Sequence, residues 1–347
     1  MARTLARDLD VRPEIAATRV IDDFSVLGPK LGRRLERGFR RHLGEARQTY
    51  EVAYWSFTRI GPVRALGELA LYRLGADALE ATISRERPDV VASTYPVLDA
   101  VLARLRCAGR LRCPAAAVVE PLGGLDFWVQ RGLDLHLLHY PEALPEVERR
   151  AGAGAAVAVR PLVRPEFMAP PTRAQARAML GLDPADPLLL VSGGGWGAGD
   201  LVGAVDACLT VTGARVLVVA GRNERVHALL CRRFGDDPRV TVLGFVEQMQ
   251  VLLSAADAFV SATAGLSCVE ARMCGCPMVC FGFAVGHVRD NTRALAEHGL
   301  VATATTPARL ADELEATLAA RRVSPPLADG LPTAAEMIVR LGSNHNA

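Results

Sequence analysis

Residues 188–197 read LLLVSGGGWG, four apolar residues running straight into a glycine-rich turn. An apolar run this short, bounded by Asp186-Pro187 on one side and by Ser192 and glycines on the other, is the pattern of a strand buried on both faces. The pattern recurs at Val216–Ala220, Val240–Leu243, Ala258–Ser261 and Met278–Phe281. Helical stretches such as Arg225–Phe234 and Met249–Ala255 lie between these runs. Continuously apolar strands alternating with helices predict a parallel sheet with helices on both sides. Thr306-Pro307, an N-cap followed by proline at the first helical position, opens a helix over Ala308–Ala320. Residues from about 180 to 322 therefore read as a doubly wound half.

The first half is less regular. Helical periodicity dominates up to Arg87, and strands follow at Val90–Ser93, Ala115–Val119 and Leu135–His139. The prolines of Arg164-Pro165-Glu166-Phe167-Met168-Ala169-Pro170-Pro171 mark a stiff interdomain linker, and the polar tail Gly342–Ala347 is expected to fray. The 347 residues are 50% hydrophobic and 22% charged, which is a folded two-domain composition. A net charge of +2 and 5% aromatic residues argue against nucleic acid as a partner. No apolar run reaches the roughly 20 residues that span a bilayer, and MARTLARDLD has no signal-peptide core, so a cytoplasmic location is expected. Lys30 is the only lysine beside 39 arginines, so a single arginine is weak evidence for phosphate recognition. Arg33, Arg34, Arg37, Arg40 and Arg41, interleaved with Leu31, Leu35, Phe39 and Leu43, make residues 31–47 a basic amphipathic stretch. It suits either an anionic membrane surface or a solvated helix face.

Four turns carry the chemistry. The glycines of Ser192-Gly193-Gly194-Gly195-Trp196-Gly197 let backbone N–H groups approach a diphosphate, although such turns also serve as tight connections. Gly221-Arg222-Asn223, Gly244-Phe245-Val246 and Ala264-Gly265-Leu266-Ser267 follow the next three strands, and all four turns gather at the carboxyl ends of a parallel sheet. Glu270 has two readings: the last member of a Ser267-x-x-Glu270 capping box, or a carboxylate accepting both hydroxyls of a ribose. Cys268, Cys274, Cys276 and Cys280 lack the paired spacing of a zinc site and read as small buried hydrophobes, and no other metal site is expected.

The stretch GFVEQM…AADAFVSATAGLSCVEARMCGCP, after SGGGWG and AGRN, resembles a GT-B glycosyltransferase family. That family includes the N-acetylglucosaminyltransferase that forms lipid II and the monogalactosyldiacylglycerol synthases. The resemblance is best over residues 185–320 and continues through RPDVVASTYPVLDAVLARL, AVVEPLGGLDFW and LVRPEF. It implies two Rossmann-like doubly wound domains facing a cleft, with no metal and no cofactor. Residues 1–165 would take the acceptor, 172–322 would bind a UDP-sugar, and 323–347 would form a C-terminal helix and tail. By position, Gly193, Gly194 and Gly195 would lie at the diphosphate, with Arg222 on the neighbouring turn. Phe245 and Val246 would meet the uracil, Gly265, Leu266 and Ser267 would turn N–H groups to the phosphate, and Glu270 would bind the ribose. Arg164 matches a linker arginine that contacts the donor.

The departures are as informative. The family's Gln-Gln or Gln-Glu sugar-binding pair is replaced by Gly286-His287-Val288-Arg289-Asp290-Asn291, which leaves His287, Arg289, Asp290 and Asn291 as the residues near the sugar. An expected Asn or Asp in the first half is replaced around Glu120-Pro121-Leu122, which leaves Glu120 or Asp126 either as candidate general bases or as ordinary loop residues. The family's opening strand and its Gly-Gly-x-Gly-His turn have no counterpart, so either translation begins upstream of Met1 or the first domain is degenerate and lacks its first strand. The function implied is transfer of a sugar from a UDP-sugar to a hydroxyl of a lipid or lipid-linked acceptor, on the inner face of a membrane. The rivals are a non-catalytic nucleotide-sugar-binding subunit that relies on a partner, and a UDP-sugar epimerase of the same fold.

Overall fold

The structure, a computed structural model, describes residues 1–21, 24–28, 47–262, 264–282, 286–319 and 330–346. Residues 29–46, and with them nearly all of the basic stretch 31–47, lie outside the described residues. The chain divides into two units, one of Met1–Leu162, Val285–His287 and Ala328–Ala347, the other of Val163–Ala284 and Val288–Leu327.

The second unit is built on six parallel strands: β5 (Leu188–Ser192), β6 (Arg215–Val219), β7 (Val240–Leu243), β8 (Ala258–Ser261), β9 (Met278–Phe281) and β10 (Ala302–Ala304). Their order is β10-β9-β8-β5-β6-β7, so the chain winds outward from β5 in one direction and then returns to its other side. Leu189, Val191, Val216, Val218 and Val260 turn one face toward Leu201 and Val205 of the helix Leu201–Cys208 and toward Leu310 and Leu314 of Pro307–Ala319. The helix Met249–Ala255 lies against β5 on its other side, flanked by Arg173–Met179 and Leu266–Met273. Five apolar runs anticipated from the sequence are strands within one residue of their expected ends; the short edge strand β10 is additional. Thr306 caps the helix before Pro307, accepting from the Arg309 N–H at 3.3 Å.

The first unit has four parallel strands in sequential order: β1 (Val91–Ser93), β2 (Ala115–Val119), β3 (Leu135–Leu138) and β4 (Ala156–Ala158). No strand precedes β1 among the described residues. Ala115 and Ala117 pack with Leu79 of the helix Gly61–Glu86 and with Val101 and Leu105 of Pro96–Cys107. Ala116, Val118, Leu135 and Leu137 face the other way, onto Leu5 and Leu9 of the helix Ala2–Asp10 and Ala335 and Ile338 of Ala334–Asn346. Because β2 alternates small residues on both faces, helices close on it from both sides. The C-terminal helix is thus part of the first unit, joined to its opening helix by Arg12, which donates to Thr333 at 3.0 Å and to Glu336 at 3.1 Å. It also overturns the expected fraying: the helix runs through Gly342 to Asn346, and Gly342 sits so close to Val90 that a Cβ would lie 3.0 Å from it. None of the eight cysteines is in a disulfide; Cys268, Cys276 and Cys280 are buried as expected, whereas Cys274 is only half-buried. No described helix is long and apolar enough to cross a membrane.

One buried charge holds the amino ends of the central strands. Arg177 is only 1% exposed, and its guanidinium donates to the carbonyls of Ala255, Asp183, Pro184 and Asp186 at 2.7–3.0 Å and to Asp257 at 2.7 Å. Asp257 in turn accepts from the Leu188 N–H at 2.9 Å and from Arg173 at 2.9 Å. A planar fork of donors suits this gathering of carbonyls, where a lysine would satisfy fewer of them. Arg177→Met keeps the apolar stem but leaves the four carbonyls without their donor and Asp257 with only Arg173 and the Leu188 N–H. Stability is expected to fall by about 3–5 kcal/mol, seen as a lower urea midpoint at unchanged slope. A loss below about 1 kcal/mol would mean that the pair behaves as a surface ion pair.

Candidate functional site

At the carboxyl ends of β5 and β6 two turns interlock. Gly193 opens the turn, and a Cβ there would overlap the backbone of Ala198. Gly221 has φ +64°, and a Cβ on it would lie 2.6 Å from the carbonyl oxygens of Gly194 and Gly195. These two positions need glycine because the backbones themselves are in contact. The Arg222 N–H donates to the Gly195 carbonyl at 2.8 Å, and Asn223 donates to the Trp196 carbonyl at 3.1 Å while capping its own helix. The turn is therefore fixed before any ligand arrives. Arg222 reaches across to β7, where its guanidinium lies 3.6 Å from the ring centre of Phe245, which is 48% exposed.

The two helices that could face an anion differ in their caps. The helix after the Gly193 turn starts only at Leu201, after the single turn Gly194–Trp196, and Asp200 caps it by accepting from the Gly203 N–H at 2.8 Å. A carboxylate already occupies that positive end. The helix Leu266–Met273 starts after Gly265, which has no side chain to cap it, and no acidic residue lies in its first turn. Among the described residues the amides of Leu266 and Ser267 have no acceptor, and they and the helix dipole suit a negative ligand.

The same boundary decides between the two readings of Glu270. Ser267 is inside the helix, not before it, so Ser267 and Glu270 form no capping box. The Glu270 carboxylate has no hydrogen bond with any described residue, and burial pushes its pKa up to about 7 against the pull of the Arg164 charge. Arg164 donates to the Glu247 carbonyl at 3.2 Å and pairs with Glu166 at 2.8 Å, which brings the linker arginine beside the turn carrying Phe245 and Val246. Within the second unit, Arg164, the β7 turn and Glu270 thus converge.

The residues expected near a sugar lie on one helix, Gly286–Glu297, and take different partners. His287 belongs to the first unit, its ring 6.3 Å from that of Tyr54, and the neighbouring Gly286 N–H donates to Glu51 at 2.6 Å. Arg289 pairs with Asp290 at 3.3 Å, and Asp290 also pairs with Arg293 at 3.4 Å. Asn291 is buried and donates its amide to the Ala264 carbonyl, pinning the turn that precedes Gly265. Among the described residues no cluster of three metal-ligating side chains occurs.

In the first unit the two acids proposed as bases separate. Arg150 and Arg64 both bind Asp126, the latter at 3.0 Å; burial favours its neutral form, but the two guanidiniums outweigh it and hold its pKa below the ordinary value. Glu120, one residue beyond β2, is 9% exposed, and burial alone pushes its pKa up to about 7. Two buried titratable groups at the same end of the sheet had not been singled out: Asp99, pushed up to about 8 by burial, and His139, held down to about 4 by burial. The only signal for Asp99 was one acid inside the apolar helix PVLDAVLARL, and for His139 its place at the end of an apolar strand.

Residues 197–320 match the family model described as glycosyl transferases group 1. The chain is 29% identical over 243 residues to a UDP-N-acetylglucosamine–N-acetylmuramyl-(pentapeptide) pyrophosphoryl-undecaprenol N-acetylglucosamine transferase of Nocardioides sp., a match covering 64% of this chain and 60% of that one. It is 25% identical over 230 residues to the chloroplastic monogalactosyldiacylglycerol synthase 1 of Arabidopsis thaliana, covering 62% of this chain and 43% of the other. The chain therefore spans less than two thirds of either relative. Os79 from O. sativa, solved in complex with UDP, superimposes with a TM-score of 0.55 at 15% identity over 83% of this chain and 87% of that one, a likeness of fold. The second unit of this chain carries a group 1 glycosyltransferase domain, and the chain has the GT-B fold.

Proposed function

We propose that the protein transfers a sugar from a UDP-sugar to a hydroxyl of a lipid or lipid-linked acceptor. The observation that carries this reading is Glu270: a half-buried carboxylate left without a hydrogen bond, beside an uncapped helix start and the Arg164 charge. A ribose supplies two adjacent hydroxyl donors for that carboxylate, and a diphosphate supplies the anion for the amides of Leu266 and Ser267. Phe245 offers the uracil an apolar surface, with Val246 beside it, and Arg222 stacks on the ring. Both named relatives act on lipid-linked or lipid substrates by their names, which supports the acceptor class.

In the reaction, Glu120 takes the proton of the acceptor hydroxyl while its oxygen bonds to the anomeric carbon of the sugar. The bond from that carbon to the diphosphate oxygen breaks, and the charge passes to UDP, where the helix amides and Arg164 stabilise it. Fixed amides and guanidiniums supply the positive charge, so turnover should survive excess EDTA. The basic residues within 31–47 would hold the enzyme on an anionic, cytoplasmic membrane surface. Neutralising Arg33, Arg34, Arg37, Arg40 and Arg41 should then abolish sedimentation with anionic vesicles, each contributing about 1 kcal/mol. If the unaltered protein ignores such vesicles at low salt, the membrane reading fails.

Glu270 is tested by calorimetric titration with UDP and 2′-deoxy-UDP. The unaltered protein should prefer the ribose form, and Glu270→Gln should weaken UDP binding by about five- to thirtyfold, or about 1–2 kcal/mol. The stability effect has the opposite sign. A carboxyl whose folded pKa lies above its unfolded value contributes stability below the unfolded pKa and loses it as pH rises through the folded one. Ligand-free Glu270→Gln should therefore melt higher than the unaltered protein at pH 8, with the gap closing below about pH 4.5. Equal affinity for the two nucleotides would remove Glu270 from the nucleotide site.

Glu120 and Asp126 are separated by rate. UDP release is followed with UDP-glucose, UDP-galactose and UDP-N-acetylglucosamine in the presence of diacylglycerol vesicles. Glu120→Gln should lower kcat by about 10²–10⁴, whereas Asp126→Asn should lower the melting temperature and leave kcat nearly intact. Because the base must be ionised, kcat should rise with pH through about 7 and then level. A flat profile, or a dead Asp126→Asn that is fully folded, would reverse the assignment.

A further inference from the structure

The ladder between β2 and β3 pairs Val119 with Leu138 in parallel. It persists one residue further, because the His139 N–H donates to the Val119 carbonyl at 3.2 Å. Glu120 and His139 are thus the next residues on two adjacent strands, level with each other. Their parity also agrees: Ala116 and Val118 on β2 and Leu135 and Leu137 on β3 face the helix Ala2–Asp10, and Glu120 and His139 continue those two rows.

Each of these side chains holds a buried polar atom with no hydrogen-bond partner among the described residues. On Glu120 it is Oε1, an acceptor, and on His139 it is Nδ1. The backbone fixes what that nitrogen can do. The Leu162 N–H donates to His139 Nε2 at 3.2 Å, so Nε2 is the lone-pair nitrogen and Nδ1 carries the proton of the neutral ring. Burial keeps the ring neutral, since its pKa is held down to about 4. A ring in this state has one donor to offer and no lone pair left with which to act as a base. An orphaned donor and an orphaned acceptor therefore stand level on neighbouring strands, on the same face, both out of water. Leaving both unmade would be costly, and joining them, directly or through one enclosed water, satisfies the two at once.

We propose that His139 is a positioning residue for Glu120, its Nδ1–H held to Oε1 directly or through one enclosed water, which leaves Oε2 to face the acceptor hydroxyl. This rests on the reading of Glu120 as general base. The hydrogen bond fixes the rotation of the carboxyl group, and a donor to one oxygen stabilises the ionised form from which the base acts. No proton passes to the imidazole. It is taken up by Glu120 Oε2 and leaves from there.

Two substitutions separate this role from a structural one. Counted in bonds from Cβ, the amide of Asn places a donor at the Nδ1 position, and the amide of Gln places an acceptor at the Nε2 position. His139→Gln keeps the contact with Leu162 and loses the donor to Glu120. His139→Asn does the reverse. We expect His139→Gln to melt like the unaltered protein, with an unchanged KM for the UDP-sugar, and to lose about ten- to hundredfold in kcat. His139→Asn should melt lower and keep kcat within about threefold. If both variants lose the same kcat, or only His139→Asn does, the positioning role is overturned and His139 serves Leu162 alone.

A second arm needs no turnover. In the 15N-resolved imidazole spectrum of the full chain, the resonances that vanish in His139→Gln should show a protonated Nδ1 and an unprotonated Nε2, and Glu120→Gln should shift that Nδ1–H. A spectrum unmoved by Glu120→Gln, or one with the proton on Nε2, overturns the contact. Failure of the underlying reading is distinguishable: a fully active Glu120→Gln removes the base itself. A fully active His139→Gln beside an inactive Glu120→Gln removes only the assignment of His139.

Discussion

The constraint on which the rest depends is the position of β5 in the second sheet. A parallel strand must be followed by a crossover, and in this unit the crossovers first lead outward through β6 and β7 and then return to the far side of β5 as β8. Connections after β5 and after β8 are consequently driven apart, over opposite faces, and the ends of these two paired strands are left open to solvent between them. The Gly193 turn and the start of the helix Leu266–Met273 are the two lips of that opening. No residue choice in the loops could create it without the strand order. Once the order exists, glycine at 193 and 221 allows the lips to be backbone, which is the surface a phosphate group can approach most closely.

Charge then distinguishes the two lips. Both helices bring a positive end to the opening, but Asp200 neutralises one of them from within the chain, whereas Gly265 leaves the other bare. An uncapped helix start forgoes the roughly 1 kcal/mol a capping side chain contributes. Glu270, a turn further on, carries the burden of a carboxylate whose ionised form is disfavoured by burial. Both features make the empty unit less stable than its sequence could make it, and both become favourable when a molecule with an anionic group and adjacent hydroxyls is bound. Such a pattern distinguishes a binding site from a tight connection with the same glycines.

Much of this was legible because the strands of the second sheet are buried on both faces, which makes them apolar without interruption and bounds them with Gly, Pro or Asp. The strands that escaped, Ala156–Ala158 and Ala302–Ala304, are three-residue edge strands with alanine as the main content, too short to show a period. The site was legible in part. Ser267 and Glu270 have capping-box spacing, and only the observed boundary at Gly265 rules it out. Glu120 and Asp126 were equivalent in sequence because what separates them is Arg64 and Arg150, 62 and 24 residues from Asp126. His139 carried no motif at all. Its significance lies in a register, which is a relation between two strands and is written in neither.

The two ends of the central strands of the second sheet obey opposite rules. At the amino ends, Arg177 collects carbonyls from the 183–186 segment and from Ala255, and Asp257 answers with both oxygens, so buried polar groups there are matched within the chain. At the carboxyl ends the helix amides at Leu266 and the carboxylate of Glu270 are left unmatched. A folded chain tolerates such unmatched groups only if the surrounding frame is stable enough to hold them in place. The satisfied ends therefore do more than stabilise. By fixing the strands from behind, they allow the other ends to keep polar groups aimed at a partner that is not part of the protein.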